Sequence, residues 1–533
     1  MLKNKKYLAK IGICQINLNT GDIEGNSRKI TEYIKRCQEE NCDIVVFPEL
    51  SITGPLAKDL FLNGDFLRDN ISALKSIAQH CSNIVAIVGF ANKVGDKTFN
   101  SAAVISNKKI VHVSNKICLQ DYIFGEKKYF SNGDKLKKIR LGRVSVVVTF
   151  ANDLINLPNA TFDHADYVLA LGALPFISGN QKNREKIFSL LSKTQKTNIV
   201  LTNLVGGFDG IIFDGASIAC DETGKIVSRA KQFEENLSLV DFSSQNKIQH
   251  KIEKYEEIYK ALCLGLKDYV TKNNFSKVAL GLSGGIDSAL VAAIAVDSLG
   301  KDNVKCFSLP SKYTSKISKI GAEKLAKNLG IDLIEIKINP IFESYLKALK
   351  FLFKGLKQNI AEENLQARIR GTLLMTISNK FGYLLLATGN KSESSAGYAT
   401  LYGDTAGGLA LIGDIPKTIV YKLAEYRNTI SDVIPKLIIK RAPTAELKKN
   451  QKDQDTLPKY EILDKIISDY FQYKKSPSEI IKSGIPKSIV NSSIKMFHSS
   501  QFKRAQCPPV IKIFDYTFGL DLQLPITNKY IPS

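Results

Sequence analysis

KVALGLSGGIDSALVAAIAVDSLG, Lys277 to Gly300, is the stretch that decides the fold of the second half of the chain. KVALGL is a β-branched run of strand length, SGGID is a turn, and SALVAAIAVDSLG is an apolar helix closed by a glycine. A strand that turns through glycines directly into a helix aims loop amides and the helix N-terminus at one point, which suits an anion. Gly284 and Gly285 allow close approach to the main chain, Ser283 and Ser288 offer hydroxyl donors, and Asp287 adds a carboxylate for a divalent cation. The Lys that a Walker loop uses to grip β and γ phosphates is missing. The plain alternative is a tight strand-to-helix turn with no ligand.

Outward from this loop, VKCFSLP and IDLIEIKI alternate with helical patterns in the rhythm of a doubly wound parallel sheet. RAPTAELKKNQKDQDTLPKY, Arg441 to Tyr460, is Lys-, Gln- and Pro-rich without a period and is expected to be a mobile loop. Upstream, KIGICQI, DIVVFPEL, NIVAIVGF, SAAVIS, RVSVVVTF, YVLALGA and NIVLTNL alternate with helical patterns, the mark of an α/β fold with buried strands. The pattern turns polar at DFSSQNKIQH, Asp241 to His250, which divides the chain into domains 1–243 and 244–533.

Composition bounds the function. The 533 residues exceed a single domain of roughly 100–200 residues, and 44% apolar with 24% charged is globular rather than disordered. The net charge of +22 comes from scattered Lys with no aromatic interleaving, which argues against a nucleic-acid partner. Nine Cys without a CxxC pair indicate neither a disulfide framework nor a thiolate zinc site, so a reducing cytoplasm is expected. The basic start MLKNKKYLAKIGICQINLN is broken too early by Asn17 for a signal-peptide core. Val278 to Val296 is interrupted by Asp287 and a Gly pair, so no membrane span is expected.

The octet Gly281, Leu282, Ser283, Gly284, Gly285, Ile286, Asp287, Ser288 resembles the pyrophosphate loop of the ATP pyrophosphatase superfamily, whose members cut ATP to AMP and pyrophosphate to activate a substrate oxygen. The complete match between a strand and a helix outweighs the ligand-free turn. EENLQARIRGTLLM, LLATGNKSE, GYATLYGD, PKTIVYKLAEYRN, RAPTAEL, QKDQDTLPKY and FKRAQCPP are similar to the NAD synthetases within that superfamily. The resemblance implies ATP as co-substrate, bound by the octet with Thr388, Lys417 and Thr444, and Mg²⁺ held by Asp287 and Glu393. It further implies deamido-NAD bound by Asn364, Arg368, Glu393 and Lys503, and a nucleotide site at a subunit interface, hence a homo-oligomer of at least two chains. Asp453 and Asp455 fall in the suspected lid. Gly321 departs from the family, which usually carries Asp there.

The first half resembles the nitrilase-type glutaminase domain fused to such synthetases, an α/β sandwich, on VVFPELSITG, on Lys116 with LQDYIFGEKKYF, and on NLVGGFDGIIFDGAS. In that family Glu is the general base, Lys steadies the tetrahedral intermediate, and Cys attacks the glutamine amide. Glu49 and Lys116 match, and Tyr122 matches a glutamine contact. The nucleophile does not. The usual CED reads AND here, placing Ala151 at the Cys if Asp153 takes the family's Asp position, and a shifted frame places Thr149 there. Leu174 stands for the pocket's Ser and Asn180 for its Lys. A buried Glu and Lys kept as a structural ion pair is a weighty alternative for this half.

These readings imply an enzyme that amidates deamido-NAD to NAD through an adenylate, with free ammonia as the effective nitrogen donor. Two alternatives stand beside it: a fully glutamine-dependent synthetase with an unidentified nucleophile, and a first domain that is a scaffold for an ammonia-supplying partner.

Overall fold

A computed structural model describes residues 8–157, 161–162, 164–449 and 451–532. The basic start, Met1 to Tyr7, and Asn450 of the Lys-rich stretch lie outside them. The chain forms two compact units, Met1–Ile252 and Glu253–Ser533. The polar segment Asp241–His250 stays with the first unit, because Gln249 N–H donates to Arg229 O at 3.1 Å and the Arg229 guanidinium returns a bond to Gln249 O at 2.9 Å. Lys251 then pairs with Glu185 at 2.6 Å.

The first unit is a sandwich of two six-stranded sheets. One runs, in spatial order, Asn236–Val240, Ile11–Gln15, Ile44–Val46, Val85–Val94, Lys97–Ser106 and Lys109–Asn115. The other runs Ile226–Arg229, Ile218–Cys220, Asn198–Asn203, Tyr167–Gly172, Val144–Phe150 and Lys138–Leu141. Ile11, Ile13, Val46, Ile87 and Val104 meet Val146, Val148, Phe150 and Leu169 between the sheets. The alternate residues face outward against helices: Val45 and Val88 pack with Ile30, Ile34, Leu74 and Ile77, while Val147 and Val168 pack with Leu154 and Phe188. Covering both faces of each sheet explains why the strands read as unbroken apolar runs.

In the second unit five parallel strands lie in the order Leu333–Glu335, Val304–Ser308, Val278–Gly281, Leu384–Ala387, Leu409–Ala410. The strand that comes first in this unit is thus central, and the chain winds away from it in both directions. Its C-terminal end is the switch point of the sheet, where open α/β sheets bind ligands. Leu282–Gly285 occupies that end and leads into the helix Ile286–Leu299, whose sides are apolar and buried as the sequence indicates. Among the described residues no helix is long and apolar enough to cross a membrane.

Gly284 is tied to its neighbours more tightly than a phosphate loop alone requires. It has φ +80°, and a Cβ there would lie 2.1 Å from the carbonyl oxygen of Ser318. Gly284→Ala therefore combines left-handed strain with a main-chain clash, and should lower the stability of the second unit by about 2 kcal/mol or more. Denaturant unfolding measures it, and an unchanged midpoint would contradict the packing described.

Candidate active sites

The phosphate-type loop is already braced. Ser283 N–H donates to Ser288 Oγ at 3.3 Å, Gly285 N–H to Ser283 Oγ at 3.2 Å, and Ser288 Oγ–H to Gly285 O at 3.1 Å. Asp287, in the first turn of the following helix, meets two residues far along the chain. Lys417 Nζ binds Asp287 Oδ2 and lies 3.3 Å from Glu393 Oε1, and Asn390 Nδ2 donates to Asp287 Oδ1 at 2.9 Å. Lys417 is 3% exposed and the two carboxylates 17% and 19%, so the ammonium is enclosed while the acids retain an open side. Burial raises the Glu393 carboxyl, with Asp287 and Asp453 adding to it against Lys417. Burial alone would lower the Lys417 ammonium, but Asp287 and Glu393 hold it raised.

Asp287 and Glu393, which share one ammonium, are the two acids that could hold a divalent ion here. Mg²⁺ sites commonly use one or two carboxylates and leave the remaining positions to phosphates and water. Asp453 reinforces the negative field. It is buried, and Tyr460 donates to its Oδ2 at 2.9 Å. Asp455 instead faces solvent. Thr388 is half-buried just past the strand Leu384–Ala387. Thr444 lines a cavity of about 500 Å³ together with Lys312, Ser315, Arg441, Glu446 and Gln451. The irregular stretch around it is anchored: Glu446 accepts from Ser315 N–H at 3.3 Å, from Ser318 Oγ at 2.8 Å and from Arg441. Gly321 lies one turn after Ser318 on the helix Lys316–Leu329. A Cβ there would be 3.1 Å from Leu437, so the family's Asp gives way to close helix packing.

Asn364, Arg368 and Lys503 converge on one loop. Thr400 Oγ donates to Asn364 Oδ1 at 2.8 Å, Arg368 Nε donates to Leu401 O at 3.2 Å, and Lys503 Nζ donates to Gly397 O and Ala399 O at 2.8 and 2.9 Å. Glu393 stands on the short helix Lys391–Ala396 that runs into this loop. Arg370, which the sequence reading passed over, donates to Leu309 O at 2.9 Å, and burial lowers its guanidinium to about 10.

The first unit holds a second charged cluster. Glu49 follows the strand Ile44–Val46 in a turn pressed so closely on the next strand that a Cβ at Gly89 would lie 2.5 Å from Pro48 O. Lys116 Nζ lies 2.6 Å from Glu49 Oε1 and 2.9 Å from Glu126 Oε2. Asn100 Nδ2 donates to both acids, at 2.6 and 2.9 Å. All four side chains are buried. Glu126 and Asn100 were not anticipated. Burial raises Glu49 and would lower Lys116, while the paired acids raise Lys116.

Ala151 begins the helix that follows the strand Val144–Phe150, and it is fully buried. Asp153 Oδ1 accepts Ile117 N–H and Cys118 N–H at 3.1 and 2.7 Å, fastening this helix to the Lys116 segment. Thr149 Oγ–H is spent on Asp153 Oδ2 at 3.2 Å. The nearest thiol along the chain, Cys118, is pushed up by burial and by Asp153, away from the reactive thiolate. Leu174 N–H is taken by Asn203 Oδ1 at 2.9 Å. Asn180, at the start of a helix, and Tyr122 are both exposed.

A family model for NAD synthase matches residues 258–507, and one for carbon-nitrogen hydrolase matches residues 10–249. The glutamine-dependent NAD(+) synthetase of Thermotoga maritima is 38% identical over 98% of this chain and 99% of its own length. That of Synechocystis sp. is 40% identical, covering 98% and 99%. The solved glutamine-dependent NAD+ synthetase of Acinetobacter baumannii in complex with ADP superposes with a TM-score of 0.80 at 35% identity, covering 99% of this chain and all of that one. That of Cytophaga hutchinsonii, at 21% identity and a TM-score of 0.87 over 98% of both chains, shares the fold. Matched along both units, with the phosphate-type loop of one and the Glu–Lys cluster of the other in place, the chain belongs to the glutamine-dependent NAD(+) synthetase family.

Proposed function

We propose that this chain makes NAD by ATP-dependent amidation of the nicotinate carboxylate of deamido-NAD, and that it does so on free ammonia. The observation that carries the ATP half is the meeting of Asp287, Glu393 and Lys417 beside the braced Ser283–Gly285 loop. A carboxylate resists amines because its charge repels them and it has no leaving group. Attack of the carboxylate oxygen on the α-phosphorus of ATP, with pyrophosphate leaving, cures both defects. Ammonia then adds to the acyl carbon and AMP departs. The Gly284 amide and the Ser283 hydroxyl bind the departing pyrophosphate, and Lys417 turns its ammonium to the phosphates. Asp287 and Glu393 would hold Mg²⁺, which supplies further positive charge to the leaving oxygens. Thr388 and Thr444 would border ATP, and Asn364, Arg368 and Lys503 would hold deamido-NAD.

Two further readings follow. Ile360, at the start of the helix Ile360–Phe381, and Tyr402, next to the Leu401 carbonyl that accepts from Arg368, are largely exposed, which supports a second copy of the chain covering the deamido-NAD face. Nine free cysteines, with no disulfide among the described residues, fit a reducing cytoplasm.

The nitrogen source rests on the first unit. Of the candidate nucleophiles, Ala151 has no lone pair, Thr149 spends its proton on Asp153, and Cys118 is held away from its thiolate. The cluster of Glu49, Lys116 and Glu126 is then a structural ion triad. Its removal should be felt as stability: Lys116→Met leaves two buried carboxylates uncompensated and should cost about 3–5 kcal/mol in denaturant unfolding.

Asp287→Asn should lower NAD formation from saturating ammonia by at least about 100-fold, as loss of a metal-directed carboxylate does. The parent enzyme should release AMP and pyrophosphate in equal amounts with NAD, and ADP in their place would exclude an adenylate.

With glutamine as sole nitrogen source, NAD formation and glutamate release should both be negligible, since loss of the nucleophile from a comparable site costs on the order of 10⁶ in kcat. Ala151→Cys should restore little, because Leu174 and Asn180 supply neither the hydroxyl nor the ammonium of the family's pocket. Glutamate appearing in step with NAD would refute ammonia dependence, and labelling by a glutamine-analogue inactivator would then test Cys118.

A further inference from the structure

Asn390 opens the helix Lys391–Ala396 and is fully buried. Its Oδ1 accepts Glu393 N–H at 3.0 Å, and its own N–H returns a bond to Glu393 Oε2 at 3.3 Å, a reciprocal capping box. Asn, Asp and Ser start helices about equally well, so capping does not select Asn. The other half of the carboxamide does. Nδ2 donates at 2.9 Å to Asp287 Oδ1, a residue 103 positions earlier on a different helix. An Asp at 390 would cap as well but set a second carboxylate oxygen against Asp287, and a Ser or Thr would cap without that donor. Only Asn joins both acids.

The contacts close a ring. Asp287 gives one oxygen to Asn390 and the other to Lys417, and Glu393 gives one to the Asn390 amide and the other to Lys417. The two clamps differ in kind. Lys417 reaches through a flexible stem and can transfer its ammonium to a phosphate, whereas Asn390 is short, buried and fixed at the helix start.

We infer that Asn390 is a positioning residue that keeps Asp287 and Glu393 in register for the divalent cation of ATP after Lys417 has turned to the phosphates. The inference rests on the metal reading proposed above. It acts through Asp287 and Glu393 and needs no contact of Asn390 with substrate or metal.

The test uses Mn²⁺, followed by electron paramagnetic resonance with a non-hydrolysable ATP analogue bound to the full-length protein, beside the metal-free thermal midpoint. Asn390→Ser keeps the cap but loses the bond to Asp287, so its metal-free midpoint should fall by less than that of Asn390→Ala. Its Mn²⁺ affinity should fall about 10–100-fold, the usual effect of losing a group that orients metal ligands. Raising Mg²⁺ should restore its ATP turnover, a rescue that a merely loosened helix would not show. Asn390→Thr duplicates the design in case the serine variant folds poorly, and Asn390→Ala should lose both cap and affinity. If the serine and threonine variants bind Mn²⁺ like the parent while Asp287→Asn does not, Asn390 is a helix cap and nothing more. If Asp287→Asn also binds normally, the metal reading falls, and the positioning role with it.

Discussion

One buried ammonium, Lys417 Nζ, lies between Asp287 and Glu393, and the topology of the second unit exists to make that meeting possible. The central strand Val278–Gly281 delivers Asp287, its neighbour Leu384–Ala387 delivers Glu393, and the edge strand Leu409–Ala410 leads to Lys417 at the start of the helix Lys417–Ile430. Three adjacent parallel strands thus contribute one charged residue each, all at their C-terminal ends. A parallel sheet is suited to this because every strand ends on the same edge. Lys417 is fixed from its own backbone as well, its N–H donating to Ser392 Oγ at 2.8 Å.

Each unit carries a cluster of one Lys and two carboxylates, yet the two are built for different tasks. In the first unit Lys116, Glu49 and Glu126 are 3%, 6% and 4% exposed, and Asn100 fills further acceptor positions. Such a triad is locked by its surroundings. In the second unit the acids keep an open side through which a further cation could reach them. Partial exposure, more than the identity of the residues, separates a site that can exchange partners from one that cannot.

What could be read in the sequence was what is local. The Gly281–Ser288 loop was legible because the strand, turn and helix that shape it are contiguous, and the buried strands were legible because apolar cover on both faces leaves unbroken runs. The edge strands Lys109–Asn115 and Ile226–Arg229 escaped, being half-exposed and polar in part. Glu126, Asn100 and Asn390 escaped for another reason: their roles are set by partners 10, 51 and 103 positions away. Asn390 did leave a trace, since Asn-x-x-Glu before a helix is the capping-box pattern, but nothing local shows where the spare N–H of its side chain goes. Asn364, Arg368 and Lys503 entered through resemblance, and their convergence on residues 397–401 became visible only in three dimensions.

The locked triad of the first unit also constrains how this chain can change over generations. A buried thiol replaced by a methyl, as proposed for Ala151, would strand no charge and would leave the apolar packing of that helix intact. Polar pocket residues near the surface, such as the one now read as Asn180, drift at similarly small cost. Lys116 cannot follow by itself, because its loss leaves the Glu49 and Glu126 carboxylates unmatched in a dry interior. Decay of a hydrolytic site of this design is therefore ordered: the reactive atom goes first, the pocket walls next, and the charged frame last. A descendant would keep the outward signature of a glutaminase long after the chemistry had gone, so the Glu and Lys of such a domain are a record of ancestry, while the residue at the head of the following helix reports on present activity.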